Sequence, residues 1–302
     1  MNKNRAEKYI EKQLAEPLNS DPFSTARGAL DLIEINMKNH LNGMIQGLGF
    51  RPENYTLISF GGGGPLHVAG YSKGLNFQNI LIPEWAAAFS AFGCACADHC
   101  YRHEKSVDLV LMPDGSLDEA VMMMLNATWA ELKKNIIKEF EKEGRDPTEM
   151  IFKPTVRIQY LGMLDDLEVD VPSENISIKD LDIIKKNYDD LFEQIFRRGT
   201  KSPELGYHIT KAIGTGIVHV PKPQLPEQKD YGKKPPEEAF KGNREIFWIS
   251  GWHEALLWEM SLLKSGNLID GPAVIEAPAT TLLIPPGYRV KLDKHRIFHM
   301  EV

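Results

Sequence analysis

Tyr55-Thr56-Leu57-Ile58-Ser59-Phe60-Gly61-Gly62-Gly63-Gly64-Pro65-Leu66-His67 is the stretch that decides the reading of this chain. A short, β-prone apolar run stops at four consecutive glycines. Pro65 follows, and Leu66, Val68, Ala69 and Tyr71 then continue in a helix-like pattern. The order is strand, glycine turn, helix. Glycines carry a large backbone entropy cost and no packing. They are kept where the chain needs a positive φ or a close approach. Pro65 suits the first turn of a helix. Backbone N–H groups at such a turn, with the helix dipole behind them, can face a phosphate or a nucleoside. The turn is neither GxxxxGK[ST] nor GxGxxG, so neither of those phosphate-binding mechanisms transfers directly.

Outward from this turn the first hundred residues alternate between helix and strand. Asp21-Pro22 opens a helix whose apolar residues, Ala26 to Leu48, fall mostly on one broad face, with Gly47 and Gly49 ending it. Asn79-Ile80-Leu81-Ile82-Pro83 reads as a strand buried on both faces of a parallel sheet. Trp85 to Asp98 reads as a small-residue helix. This alternation predicts an α/β class. A long helix is expected from Ser116 to Glu143, capped by Ser116 with Glu119 three residues on and ended by Gly144. Residues 150–171 read as a hairpin, 177–198 as an amphipathic helix and His208 to Val220 as a strand. The Pro- and Lys-rich run to about Glu238 reads as a linker, and the rest is β-rich. The expected divisions are 1–110, 111–225 and 226–302.

The chain has 302 residues and a formal net charge of −7, with no basic run that would mark a nucleic-acid surface. It shows no secretory leader and no stretch long enough to span a bilayer, so the expected location is cytoplasmic. Its three cysteines lie close together and form no disulfide framework.

Four segments together resemble a known family. They are Glu34-Ile35-Asn36-Met37; Phe60 to His67, close to FGGAGPLHA; Ile80 to Pro83 with Phe89-Ser90-Ala91-Phe92-Gly93 and Ala97-Asp98; and Asp270-Gly271-Pro272-Ala273-Val274-Ile275-Glu276 with Thr280-Thr281 and Ile284-Pro285-Pro286-Gly287. The chain resembles the C-terminal half of the hydantoinase A / 5-oxoprolinase / acetone carboxylase family. The resemblance implies the second lobe of an actin-like, Hsp70-like (ribonuclease H-like) ATPase fold over 1–110, then an α+β region and a β-rich C-terminal domain.

It also implies ATP and Mg²⁺ as cofactors, with Gly61, Gly62, Gly63, Gly64 and Pro65 against the adenosine side and His67 nearby as a catalytic group. His67 could donate to a phosphate or substrate oxygen, or it could serve as a capping or packing histidine. The family's phosphate loop, DxGGTxTD, does not occur in this sequence. The Mg²⁺ and phosphate groups are therefore expected from a partner lobe on another chain.

A separately encoded half points to the ketone carboxylases of acetone and acetophenone type, and within them most to the acetophenone type. These are biotin-independent, ATP-dependent multi-subunit complexes that act on a ketone and bicarbonate. The alternatives are half of an ATP-dependent cyclic-amide hydrolase, or a non-catalytic scaffold subunit. Within the same family pattern, Gly63 stands where Ala is common, and Met163-Leu164-Asp165-Asp166 follows Gly162 where Tyr-x-Gly-Gln is usual.

Cys94, Cys96, Cys100, His99 and His103 carry metal-ligand chemistry, and Cys96, Cys100 and His103 would share one face of a continuous helix. A single straight helix seldom closes a tetrahedral site, and the related segments carry small apolar residues here. The expectation is no metal site. Asp165-Asp166 is read as a solvated loop and Glu276 as an edge charge.

Overall fold

The computed structural model describes residues 2–196, 199–249 and 251–301. In chain order the elements are α1 (Lys3–Ile10), which runs into a π-turn (Glu11–Ala15), then α2 (Pro22–Gly47), β1 (Thr56–Ile58), α3 (Gly64–Ser72), β2 (Asn79–Pro83) and α4 (Phe89–Cys96). They continue with β3 (His99–Leu111), α5 (Asp118–Lys142), β4 (Ile151–Tyr160), β5 (Leu167–Asp170), α6 (Ile178–Phe196) and β6 (Tyr207–Val218). The last are β7 (Phe240–Trp248), β8 (Gly251–Glu259), β9 (Leu268–Asp270), β10 (Ala273–Ala277), β11 (Thr280–Ile284), β12 (Arg289–Leu292) and β13 (Ile297–Glu301). The expected helix at 177–198 is α6, and its final residues 197 and 198 lie outside the described residues. No helix of the described residues is long and apolar enough to cross a membrane.

The elements gather into two units, residues 1–95 with 223–302, and residues 96–222. In the first unit one sheet has the order β1-β2-β13-β12-β9 and a second has β11-β10-β8-β7. The sequence separates 1–110 from 226–302, but β13 pairs antiparallel with β2, Met300 opposite Ile80, so both stretches build one sheet. No local pattern encodes a pairing between strands so distant in the chain. For the same reason the sheet around β2 is mixed rather than parallel: β2 runs parallel to β1 and antiparallel to β13. The core of this unit joins Val68, Ala69 and Tyr71 of α3 to Ile82, Ile275, Ile284 and Phe298. Glu276 lies on β10, inside its sheet rather than at an edge. Lys241 (2.9 Å) and Arg244 (2.6 Å) bind it and lower its carboxyl pKa.

The second unit is the expected α+β region. Its sheet has the order β3-β6-β4-β5. Trp129, Ile136 and Phe140 of α5, with Leu181, Ile184 and Tyr188 of α6, join the inward residues of that sheet in one core. Two local expectations change here. Helix α5 begins at Asp118 after Leu117, and Ser116 does not cap it. Instead Asp114 Oδ1 accepts from the Ser116 N–H at 3.0 Å. Helix α4 ends at Cys96, and Cys100 and His103 stand on β3, paired to β6. The helical face that would have aligned Cys96, Cys100 and His103 therefore does not form. The alternation of β3 and its long pairing with β6 override the helical spacing. Asp98 follows α4 and receives the Lys222 ammonium, the His219 Nδ1 at 3.0 Å and the Val220 N–H at 3.0 Å. These three hold its carboxyl well below the usual carboxylate range, the lysine first.

Candidate functional site

The glycine turn forms as the sequence predicts, between β1 and α3. Gly63 stands at the cap position, with Pro65 in the first turn. Gly61 has φ +87°, a conformation L side chains avoid. Its N–H donates to Ala86 O at 2.7 Å, fixing the turn beside the segment after β2. From the other side the β10–β11 connection arrives. Thr280 Oγ1 donates to Gly61 O (3.3 Å) and Gly62 O (3.2 Å), and Ala279 O would lie 3.3 Å from a Cβ placed on Gly62. Two segments that carry the resemblance, the glycine run and Thr280-Thr281, therefore meet in space. Gly62 and Gly63 are exposed, and their N–H groups donate to no protein acceptor among the described residues. The turn thus offers free backbone donors at a helix N-terminus, on an open face. Below it, buried Tyr71 donates from its hydroxyl to Ser59 Oγ at 2.8 Å, and burial raises the tyrosine pKa.

His67 sits in the first turn of α3, as the sequence expects. Its Nδ1 lies 3.1 Å from Glu34 Oε1 on α2. The other carboxylate oxygen, Glu34 Oε2, accepts from Arg27 Nη2 at 2.5 Å. Arg27 also binds Asp31, one turn along α2, and lies 4.7 Å from the centre of the Trp248 ring on β7. Burial works against the Arg27 charge, but Asp31 and Glu34 outweigh it and its pKa is raised. Arg27 and Glu34 are only 9 % and 5 % exposed. A buried carboxylate needs such partners. Paired with the Arg27 guanidinium, the Glu34 carboxylate is an acceptor. His67 Nδ1–H is thereby assigned as the donor to it, and Nε2 makes no hydrogen bond to protein among the described residues. Gly70, one turn beyond His67, makes the approach possible. A Cβ there would stand 2.0 Å from Glu34 Oε2.

The sequence reading quoted Glu34 and Thr280 but gave them no role, and it missed Arg27, Gly70 and Trp248. The signal for Arg27 and Glu34 was a pair of opposite charges seven residues apart, which a helix places on one face. That reading put the apolar residues of α2 mostly on one face without saying what covers it. Arg27 and Glu34 face inward, while Ile33 and Met44 are 50 % and 61 % exposed. Asp166 is not a free loop carboxylate, because Thr210 Oγ1 (2.8 Å) and Arg157 Nε (3.3 Å) bind it. No cluster of three or more His, Cys, Asp or Glu side chains fit for a metal ion occurs among the described residues. A separate open groove of about 510 Å³, lined by Glu84, Gln228, Lys264 and Arg296 among others, includes no residue of the glycine turn.

Known proteins are similar to this chain over its whole length. The chain is 38 % identical over 99 % of its length to the acetone carboxylase beta subunit of Xanthobacter autotrophicus. It is 28 % identical over 100 % of its length to the acetophenone carboxylase gamma subunit of Aromatoleum aromaticum. It covers 42 % and 41 % of those two subunits, so it spans about two fifths of the relatives it matches. The nucleotide-free structure of acetone carboxylase, solved for ATP-dependent acetone carboxylation, superposes with a TM-score of 0.73 at 37 % identity, covering 100 % of this chain and 43 % of that one. The chain is thus a mixed α/β protein with that enzyme's fold, close in sequence to an acetone carboxylase subunit. Residues 1–103 match the hydantoinase/oxoprolinase model and residues 114–302 match the hydantoinase/oxoprolinase C-terminal domain, and the chain belongs to the hydantoinase/oxoprolinase family.

Proposed function

We propose that this chain is one part of an ATP-dependent, biotin-independent ketone carboxylase of the acetone and acetophenone type, and that it carries the adenosine side of the nucleotide site. The observation that supports this reading most is the open glycine turn. Gly62 and Gly63 present unpartnered N–H donors at the start of α3, beside His67. Exposed backbone donors at a helix N-terminus suit a nucleoside or phosphate. Gly61 and Gly64 shape the turn, and Pro65 fixes the helix start.

ATP fits these residues. Mg²⁺ does not fit this chain alone, since no acidic cluster faces the turn among the described residues. The groups for the metal and the phosphates belong to the partner lobe, the segment of a family-length protein that this chain does not span. When bound, ATP would supply the phosphoryl group that activates bicarbonate or the ketone's enol. His67 would accept or return a proton at Nε2, oriented by Glu34 through Nδ1. Glu34 and Arg27 would keep that ring fixed as charge develops.

The experiment is ATP turnover with acetone or acetophenone and bicarbonate. The chain alone is expected to turn over no ATP, and addition of the partner carrying the phosphate loop is expected to give ATP-dependent ketone carboxylation. Full turnover by the chain alone, or hydrolysis of a cyclic amide instead of ketone carboxylation by the assembled complex, would refute the proposal.

A further inference from the structure

Helix α2 buries two charged residues, Arg27 and Glu34, and leaves most of its large apolar side chains outside. Leu30, Ile33, Met37 and Met44 are all exposed, at successive spacings of three, four and seven residues. Side chains so spaced line one stripe of a helix, the pattern by which one helix seats against another. At the N-terminal end, Ala26, Phe23, Pro22 and Ile10 line an apolar groove between α1 and α2. The main neighbours of α2, which are α1, the π-turn, α3 and β7, leave this flank open. A contiguous apolar stripe of this kind marks an interaction surface.

The length of the relatives identifies the occupant. This chain covers 42 % of the acetone carboxylase beta subunit and 43 % of the solved acetone carboxylase chain. A family-length protein therefore brings a further segment longer than this whole chain. We infer that the α2 stripe is the seat of that segment, on the same polypeptide or a separate one, and that the segment offers it an apolar helix face. Glu34 links α2 to His67. A segment seated on the outer flank of α2 thus rests on the same helix pair that bears the glycine turn. Water would be excluded from the stripe, and α2 would be held against α3 from outside. This inference rests on the reading that a partner lobe completes the site.

The test places photoreactive benzoylphenylalanine at Ile33 or Met44 of the full chain, expressed in its own cells, with irradiation and sequencing of the adduct. The expected adduct contains peptides of the family's phosphate-loop lobe. In a chain carrying both Ile33→Glu and Met37→Glu, the Met44 adduct should fall at least tenfold, with the circular dichroism of the free chain unchanged. Should that variant lose its own fold, Met44→Glu read from the Ile33 probe gives the same comparison. An adduct made of two copies of this chain, an adduct with a protein lacking that lobe, or no adduct overturns the inference. ATP turnover of the assembled complex separates the two readings. Turnover that survives loss of the α2 adduct refutes the seat and leaves the nucleotide reading standing.

Discussion

Glu34 Oε1 stands 3.1 Å from His67 Nδ1, joining α2 to α3, while Glu34 Oε2 is held at 2.5 Å by Arg27. One buried carboxylate therefore fixes both a buried guanidinium and the imidazole beside the glycine turn. Removing it leaves Arg27 inside with only the half-exposed Asp31 as its acidic partner. Breaking a buried pair from one side strands the other charge. Glu34→Ala is expected to lower unfolding free energy by about 3 kcal/mol, read by urea titration. Glu34→Gln keeps the shape and an acceptor oxygen, so it should lose less stability. An unchanged midpoint for Glu34→Ala would contradict the pairing.

The His67 side chain is 19 % exposed, and glutamine keeps much of its volume and an N–H donor for Glu34, so His67→Gln separates chemistry from folding. In the assembled complex His67→Gln should lower kcat about 100-fold, the scale of a lost proton-transfer group. The melting temperature should move little. A kcat within twofold of the parent would leave His67 as a packing residue only.

Gly61, Gly63 and Gly70 should not respond alike. Gly61 has φ +87°, so Gly61→Ala forces a side chain into the left-handed region and should cost about 1 kcal/mol. Nothing lies within 4 Å of a Cβ on Gly63, and its φ of −102° is ordinary for any residue. Gly63→Ala should therefore be neutral or slightly stabilising. Thermal melts of the two variants decide this, and equal losses would mean the turn is not held as described. Gly70→Ala should be the most damaging, because its Cβ would meet Glu34 Oε2 at 2.0 Å.

Asp98 gives a pH dependence with a defined sign. Its carboxyl is held below the ordinary range by Lys222, the Val220 N–H and His219. A carboxylate depressed in the folded state contributes stability above its unfolded pKa of about 4. That contribution disappears as pH falls through the lower folded value. Denaturation midpoints measured from pH 7 downward should therefore drop in the parent chain below about pH 4, and Asp98→Asn should flatten this part of the profile. An identical slope in the variant would mean that Asp98 carries no such linkage.

What the sequence revealed and what it hid follow from the range of each interaction. The strand, glycine turn and helix at 55–72 are local, and their punctuation by Gly61 to Pro65 made them legible. The contact of Thr280 with Gly61 and Gly62 spans more than two hundred residues, and only the resemblance hinted that both segments mattered. The pairing of β2 with β13 was hidden in the same way, so one unit was read as two domains. Helix α2 misled because periodicity locates an apolar stripe without saying what covers it. Its inward face instead follows Arg27 and Glu34, with Glu34 bonding both Arg27 and His67. Cys100 and His103 looked helical by spacing until the ladder between β3 and β6 claimed them.

The central claim is that the glycine turn is half of an ATP site. It is tested most directly by a structure of the assembled complex with a non-hydrolysable ATP analogue. The account predicts the adenosine part of the analogue against Gly61 to Pro65, with the phosphates on the partner lobe and His67 Nε2 facing the reacting end. A nucleotide bound with no contact from Gly61 to His67 would contradict it.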